Sequence, residues 1–324
     1  MSGTQLNEFE LIRRCFASGF PTRDDVVLGV GDDASIIAPP PNRHLVQSID
    51  TQVADVHFPR HAPAHLIAQR AFRCALSDLA AMGAEPQGFH LALTLPQANE
   101  TWLLDFSEGL KQAAATYAVP LLGGDTTRGN DLVISIAVQG WVPHPARLLR
   151  SQAQTGDDVW LSGDIGHAAL ALAEVLQQPE RIQVPLSRGA RAYYLPDIHI
   201  ELGQALLGVA HAALDVSDGL IQDAQHIASC SNLDLHLHLD QIHTAVAAHD
   251  RRWEQCLTGG DDYQLLFTAP ATLRSQLTSM QQRFPNMHRI GHVQACARTA
   301  SPAVLLWHNK QPYHLSSLHG FQHF

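Results

Sequence analysis

Four short segments set aspartate beside glycine in the same way. Gly31-Asp32-Asp33, Gly123-Gly124-Asp125 and Gly259-Gly260-Asp261-Asp262 each follow an apolar run, and Asp215-Val216-Ser217-Asp218-Gly219 is a close relative. Any one of them is ordinary turn chemistry, because Asp and Gly are the usual turn residues. Four of them at strand ends in one chain point instead to carboxylates that converge. A further acid stands on a helical pattern. From Pro63 onward one face reads Ala71, Cys74, Ala75, Asp78, Ala81 and Met82, since positions three and four apart are neighbours. A carboxylate among small apolar residues is neutral, paired or bound to a cation, because an isolated buried charge costs several kcal/mol. A salt bridge to Arg70 or Arg73 is the plainer alternative. Hard oxygen donors of this kind select Mg²⁺, which keeps several waters and is completed by substrate phosphates.

Other candidates are fewer. Gly124 and Asp125, followed by Thr126, Thr127 and Arg128, suit a phosphate platform or a polar hairpin loop, and Arg150-Ser151 is placed to reach phosphate from a second domain. In Leu233-Asp234-Leu235-His236-Leu237-His238-Leu239-Asp240 the strict alternation reads as a half-buried strand, with its histidines on a solvated face in preference to a metal. The chain has no GxxxxGK[ST], no GxGxxG between strand and helix, and no kinase catalytic loop.

These residues need a scaffold, and 324 residues suffice for two domains with ample core. With 45% hydrophobic and 16% charged residues, the composition excludes a disordered polyelectrolyte. A net charge of −10 without a Lys/Arg cluster argues against nucleic acid and anionic membrane as partners, since both need a basic stripe. Without an apolar span or a signal-peptide core, a cytoplasmic location is expected. Five widely spaced cysteines without a CxxC support neither a disulfide framework nor a zinc knuckle.

Strand and helix patterns alternate. A helix is expected from Asn7 through Phe16, short strands at 26–30, 35–38 and 44–49, and a long helix from Pro63 to Gly83. Strand 89–95, helix 100–117, strand 119–122 and strand 132–142 follow. Pro143 to Pro145 reads as a linker, dividing the chain into domains 1–142 and 143–324. The second domain is expected to hold strands 159–162, 213–216 and 233–239 and helices 168–176, 198–209 and 220–228. The class is α/β (α+β).

Taken in order, Leu28-Gly29-Val30-Gly31-Asp32-Asp33, Ser48-Ile49-Asp50-Thr51 with His57-Phe58, Leu76-Ser77-Asp78-Leu79, Gly123-Gly124-Asp125-Thr126-Thr127-Arg128, Arg150-Ser151, Asp215-Val216-Ser217-Asp218-Gly219-Leu220 and Gly259-Gly260-Asp261-Asp262-Tyr263 resemble the thiamine-monophosphate kinase family. The resemblance implies the two-domain fold of the aminoimidazole-ribonucleotide synthetase superfamily. Its N-terminal domain would bind ATP and Mg²⁺ and pair in a homodimer, and its C-terminal domain would complete the cleft. It implies ATP-dependent phosphorylation of thiamine monophosphate with several Mg²⁺ ions. By motif, Asp33, Ser48, Ile49, Asp50, Asp78, Asp125, Asp215 and Asp218 would serve the metals, Ile49 by backbone alone. Gly124, Asp125, Arg150 and Ser217 would contact ATP, and His57, Asp261 and Phe321 would hold the acceptor. Departures fall mostly on the acceptor side: Asp261 stands for the family's Glu, Phe321 for Trp or Tyr, Ala75 for Asn, and Pro196-Asp197-Ile198-His199 for Pro-x-Pro-Arg. Another ATP-dependent synthetase of the superfamily, or a relative that binds nucleotide without catalysis, is the alternative. The acceptor is a phosphate monoester with a second pKa of about 6, so its attacking oxygen is already ionised and no general base is expected.

Overall fold

The computed structural model describes residues 13–177, 179, 182, 185–296 and 301–316. They form two compact units. One comprises the described residues of Met1–Leu79, Glu85–His144 and Ala173–Leu186, and the other those of Ala80–Ala84, Pro145–Leu172 and Ser187–Phe324. Of the helix expected from Asn7, residues 7–12 lie outside the described set, and residues 13–15 are helical.

The first unit opens with a two-stranded ladder, β1 (Val26–Leu28) and β2 (Ile36–Ile37), which brackets Gly31-Asp32-Asp33. Its main sheet has β3 (Arg43–Val53), β4 (Glu85–Leu95), β5 (Leu121–Arg128) and β6 (Val133–Pro143), in the order β3-β6-β4-β5. Only β4 and β5 run parallel. Successive strand residues face opposite sides, so β3 sorts its own side chains. Ser48 and Asp50 share a face with the fully buried Ile134, Ile136 and Val138, whereas Leu45, Gln47, Ile49 and Thr51 look out from the other. Two helices cover the inner face, α1 (Ala64–Ala81) and α2 (Glu100–Tyr117). Phe72 of α1 packs edge-on against Phe89 of β4, 4.9 Å between ring centres. Asn99 caps α2 by accepting from the Trp102 N–H, and Ala118 ends it in the left-handed conformation.

The second unit is built on a seven-stranded sheet. Its strands are β7 (Asp157–Leu161), β8 (Ala212–Val216), β9 (Leu233–His238), β10 (Gln264–Pro270), β11 (His288–Ala295), β12 (Val304–His308) and β13 (Gln311–Tyr313). The order is β13-β12-β9-β11-β7-β10-β8, with β12 and β9 the parallel pair. Between them run α3 (His167–Gln177), α4 (Arg188–Tyr194), α5 (Ile200–Ala205), α6 (Leu220–Ser231), α7 (Trp253–Thr258) and α8 (Arg274–Met280). The apolar face of α6, Leu220, Ile221, Ala224, Ile227 and Ala228, closes over Val159, Leu161, Leu214, Val216, Leu235, Leu237 and Leu266. Burial of such side chains, at about 25 cal/mol per Å², holds this unit together.

Three expectations change. The strand expected at 119–122 runs on to Arg128, so Gly124 and Asp125 belong to β5 and form neither a hairpin loop nor a loop platform. A Cβ on Gly124 would stand 2.0 Å from the Leu91 carbonyl oxygen, so close pairing of β4 and β5 by itself demands glycine there. The helix expected at 198–209 shortens to α5, with turns after it. His236 is not on a solvated face. It is 9% exposed, its Nδ1 accepts from the Trp307 indole N–H at 3.0 Å, and its ring stacks between Trp307 and His292.

Candidate active site

In the first unit the acids gather where β3 passes α1. Ser48 on β3 donates its hydroxyl to Asp78 Oδ2 on α1. Burial first, then the Asp78 carboxylate, pushes the Asp50 carboxyl above the usual carboxylate range, while His57 and Arg70 pull the other way. The two carboxylates therefore face each other in a partly dry setting. At about 4 Å and an effective dielectric near 20, such a contact costs on the order of 4 kcal/mol. Asp78 is paired with a hydroxyl, while the arginines expected as its partners do other work: Arg70 Nε donates to the His57 carbonyl and Arg73 to the Tyr117 hydroxyl. Ile49, between Ser48 and Asp50, turns its side chain outward and is 68% exposed.

His57 sits in a tight loop after β3. Its Nδ1 accepts the Val53 N–H at 3.0 Å, which leaves the ring proton on Nε2. Asp55 turns that loop with φ of 63° and, with Asp131, holds Arg60 at 2.8 Å. Asp33 is exposed in the β1–β2 loop, where its N–H meets Asp32 Oδ1 at 2.8 Å. Asp125 lies on β5, opposite Ala92 of β4. The structure thus brings Ser48, Asp50, Asp78 and His57 together, and sets Asp33 and Asp125 on separate elements.

The second unit gathers its acids at the end of β8. Asp215 is 7% exposed within the strand, and Ser217-Asp218-Gly219 leads into α6. A residue absent from the sequence expectations organises this loop. Asp223 Oδ2 accepts the N–H groups of Ser217, Asp218 and Gly219 at 3.0, 3.0 and 3.2 Å. Burial first, then the Asp218 and Asp215 carboxylates, pushes its carboxyl up to about 7, against the pull of two of those N–H donors. Asp218, Asp223 and His226 bring ligand atoms within 4.8 Å of one another. The signal was present in the sequence as an acid in the first turn of the helix, where unpaired N–H groups attract carboxylate.

The glycine-rich loop before β10 locks onto the same turn. Asp261 N–H donates to the Ser217 carbonyl at 2.9 Å, and a Cβ on Gly260 would lie 2.2 Å from that oxygen. Asp261 itself has φ of 68° and accepts from the Tyr263 hydroxyl at 3.2 Å. Arg150 is placed elsewhere: its carbonyl accepts from Ser231 at the far end of α6, and neighbouring Leu149 bridges to Ala212 at the start of β8. Phe321 lies outside the described residues.

Oxygen donors dominate both clusters, as a hard divalent cation requires. No helix among the described residues is long and apolar enough to cross a membrane. The family model described as AIR synthase related protein, N-terminal domain, matches residues 31–142. Thiamine-monophosphate kinase of Haemophilus influenzae is 36% identical over 98% of both chains, and that of Escherichia coli is 41% identical over 83% of this chain and 85% of its own. The crystal structure of thiamine-monophosphate kinase from Stenotrophomonas maltophilia superposes with a TM-score of 0.80 at 37% identity, covering 88% of this chain and 92% of that one. With its ordered acid motifs on this fold, the chain belongs to the thiamine-monophosphate kinase family.

Proposed function

We propose that this protein transfers the γ-phosphoryl group of ATP directly to thiamine monophosphate, giving ADP and thiamine diphosphate, the last step in making that cofactor. The observation that carries the reading is the cluster of Ser48, Asp50 and Asp78: two facing carboxylates and a hydroxyl, partly desolvated, in a chain of this family.

The donor set fits Mg²⁺, because every atom offered is a hard oxygen and the crowded charge is relieved by a cation. Ser48, Asp50 and Asp78 would hold metal in the first unit, and Asp215 and Asp218 in the second, with Asp33 and Asp125 completing the set. Several ions are implied by that many carboxylates. Bound there, Mg²⁺ supplies neutralisation of the phosphate charge that shifts during in-line transfer.

The chain's own residues then bind and orient. The acceptor oxygen is ionised near neutral pH, so nothing has to remove its proton. His57 suits this role, because its Nε2–H is a donor to phosphate and not a base. Ser217 and Gly124 offer backbone to the nucleotide. Arg150 lies at the other end of β8 from Ser217, so its assignment to ATP rests on the motif resemblance alone. Asp261 and Phe321 would hold the thiamine moiety. The outer face of the first sheet, where Ile49 is exposed opposite Ala137 and Leu45 is also exposed, supports pairing in a homodimer. We place the enzyme in the cytoplasm, free of membrane and nucleic acid, with the N-terminal domain (1–142) carrying ATP, metal and dimer contacts.

Incubation with ATP, MgCl₂ and thiamine monophosphate should yield thiamine diphosphate and ADP in equal amounts, and EDTA should stop both. ADP without thiamine diphosphate, or neither product, would overturn the assignment.

A further inference from the structure

Where the chain leaves the second sheet, a single carboxylate gathers it. Glu254, in the first turn of α7, accepts the Tyr313 hydroxyl at 2.6 Å and the Ser316 N–H at 3.1 Å, and it also accepts the Ser316 hydroxyl. Hydrogen bonds to an ionised acceptor are roughly twice as strong as neutral ones. Burial alone would raise the Glu254 carboxyl, but the bonds from Ser316 and Tyr313 outweigh it and hold it below the usual carboxylate range. The bond to Glu254 first, and then burial, pushes the Tyr313 hydroxyl up to about 12. Charged acceptor and protonated donor therefore coexist across neutral pH.

The sheet does not need these bonds. β12 and β13 are closed by a two-residue turn at Asn309 and Lys310, both at positive φ. Asp240 holds that turn, taking the Asn309 N–H at 2.8 Å and pairing with His308 at 2.8 Å. Trp253 packs on His308 and Tyr313, with ring centres 5.1 and 5.8 Å apart. β13 ends at Tyr313, where the bonds to Glu254 begin. What Glu254 fixes is thus the exit of the chain: Leu315 rests on the core, and Glu254 catches the residue after it.

That exit lies close to the site. α7 leads from Glu254 into Gly259-Gly260-Asp261, with Gly259 about 7 Å further along the helix axis. The Thr258 carbonyl oxygen, at its end, would stand 2.4 Å from a Cβ on Gly219. One end of α7 therefore meets the Ser217–Gly219 turn, and the other holds the departing chain. Phe321 follows Ser316 by five residues, a link of at most about 18 Å.

We propose that Glu254 is a positioning residue for acceptor binding, tethering the C-terminal segment to α7 so that Phe321 is presented to the acceptor beside Asp261. This assignment rests on thiamine monophosphate being the acceptor. Without the tether, the backbone at Ser316 has to be ordered when the acceptor binds. Ordering one residue lowers affinity by roughly fivefold or more.

The test compares Glu254→Ala, Glu254→Gln, Tyr313→Phe, Phe321→Ala and the double variant Glu254→Ala/Phe321→Ala in the full chain. Glu254→Ala should raise the KM for thiamine monophosphate by about fivefold or more with the KM for ATP within about twofold, the pattern of lost acceptor binding. Tyr313→Phe, which removes one of the three bonds, should shift the same constant by less. Glu254→Gln should restore it, because its amide oxygen accepts from Ser316 while its NH₂ donates to the Tyr313 oxygen. In the Phe321→Ala background, Glu254→Ala should add nothing, since residues that act as one unit are not additive. An unchanged acceptor KM in Glu254→Ala, an equal rise in the KM for ATP, or a full effect that persists without Phe321 overturns the tether and leaves the kinase reading standing. If the wild type forms no thiamine diphosphate, that reading fails instead, and calorimetric titration of the same proteins with thiamine monophosphate decides the tether by itself.

Discussion

The two acid clusters are built on opposite principles. In the first unit Asp50 and Asp78 project from a long edge strand and a buried helix, and the sheet and core fix their positions. Their charges are poorly matched: a hydroxyl meets Asp78, and burial and Asp78 disfavour ionised Asp50. In the second unit Asp223 collects three N–H groups and sets the shape of the loop that carries Ser217 and Asp218. Both clusters crowd carboxylates, but the first has only rigid support around them, whereas the second adds a self-made backbone frame. The first is therefore expected to respond to cations, and the second to hold its shape without them.

The largest effect should come from Asp50→Asn. Removing one of the facing carboxylates takes away a ligand for the ion that steadies the phosphates, and turnover should fall by about 10²–10³-fold, as for loss of a main electrostatic contact. In EDTA the same change should raise the melting temperature, because it removes a carboxylate that burial and Asp78 disfavour. Thermal melts with and without Mg²⁺ and ATP check this. A melting temperature that falls in EDTA would show that the first cluster is satisfied without a cation, and the contrast would collapse.

Asp223 comes next. Asp223→Ala leaves three backbone N–H groups near a helix start without their acceptor, costing about 1–3 kcal/mol for each group that water does not reach. Asp223→Asn keeps an acceptor oxygen and should restore most of that loss. Denaturant unfolding of the two variants, in EDTA, measures the difference. Equal loss in both would mean that charge, and not the hydrogen-bond frame, is what the loop needs.

Much of this contrast was legible in the sequence, but unevenly. Helix 100–117 was readable to the residue, because Asn99 is a strong cap and the apolar face is regular. Asp78 stood out because a charge on a small apolar face has few explanations. The strand through Gly124 and Asp125 was not readable, since glycine and aspartate signal turns, and only the close approach of Leu91 explains glycine there. Asp223 was missed although an acid in a helix's first turn is a legible signal, because the sequence does not show which backbone N–H groups such an acid gathers. The histidines of β9 were misjudged for a related reason: alternation shows that they share a face, but what covers that face, Trp307 and His292, comes from strands about 54 to 71 residues away.

That histidine face gives the smallest effect and the finest test of how self-contained the second unit is. His236, His292 and His238 stack in a row, with Trp307 at one end and Arg289 and Asp158 near the other. Burial depresses the basicity of all three first, and then like charge: His292 lowers both neighbours, and Arg289 lowers His292 and His238, while Asp158 opposes on His292. A histidine whose folded pKa lies below its unfolded value of about 6.5 takes its proton more readily when unfolded. Stability contributed by the neutral stack is therefore present above that pH and is lost as pH falls through about 6.5 toward the lower folded values. His292→Gln removes the central ring and keeps a polar side chain of similar reach. It should flatten the fall in melting temperature between about pH 7 and pH 5, measured in EDTA so that metal plays no part. An unchanged slope would place the acid sensitivity elsewhere. A slope that steepens would mean that His292 shields its neighbours from protonation.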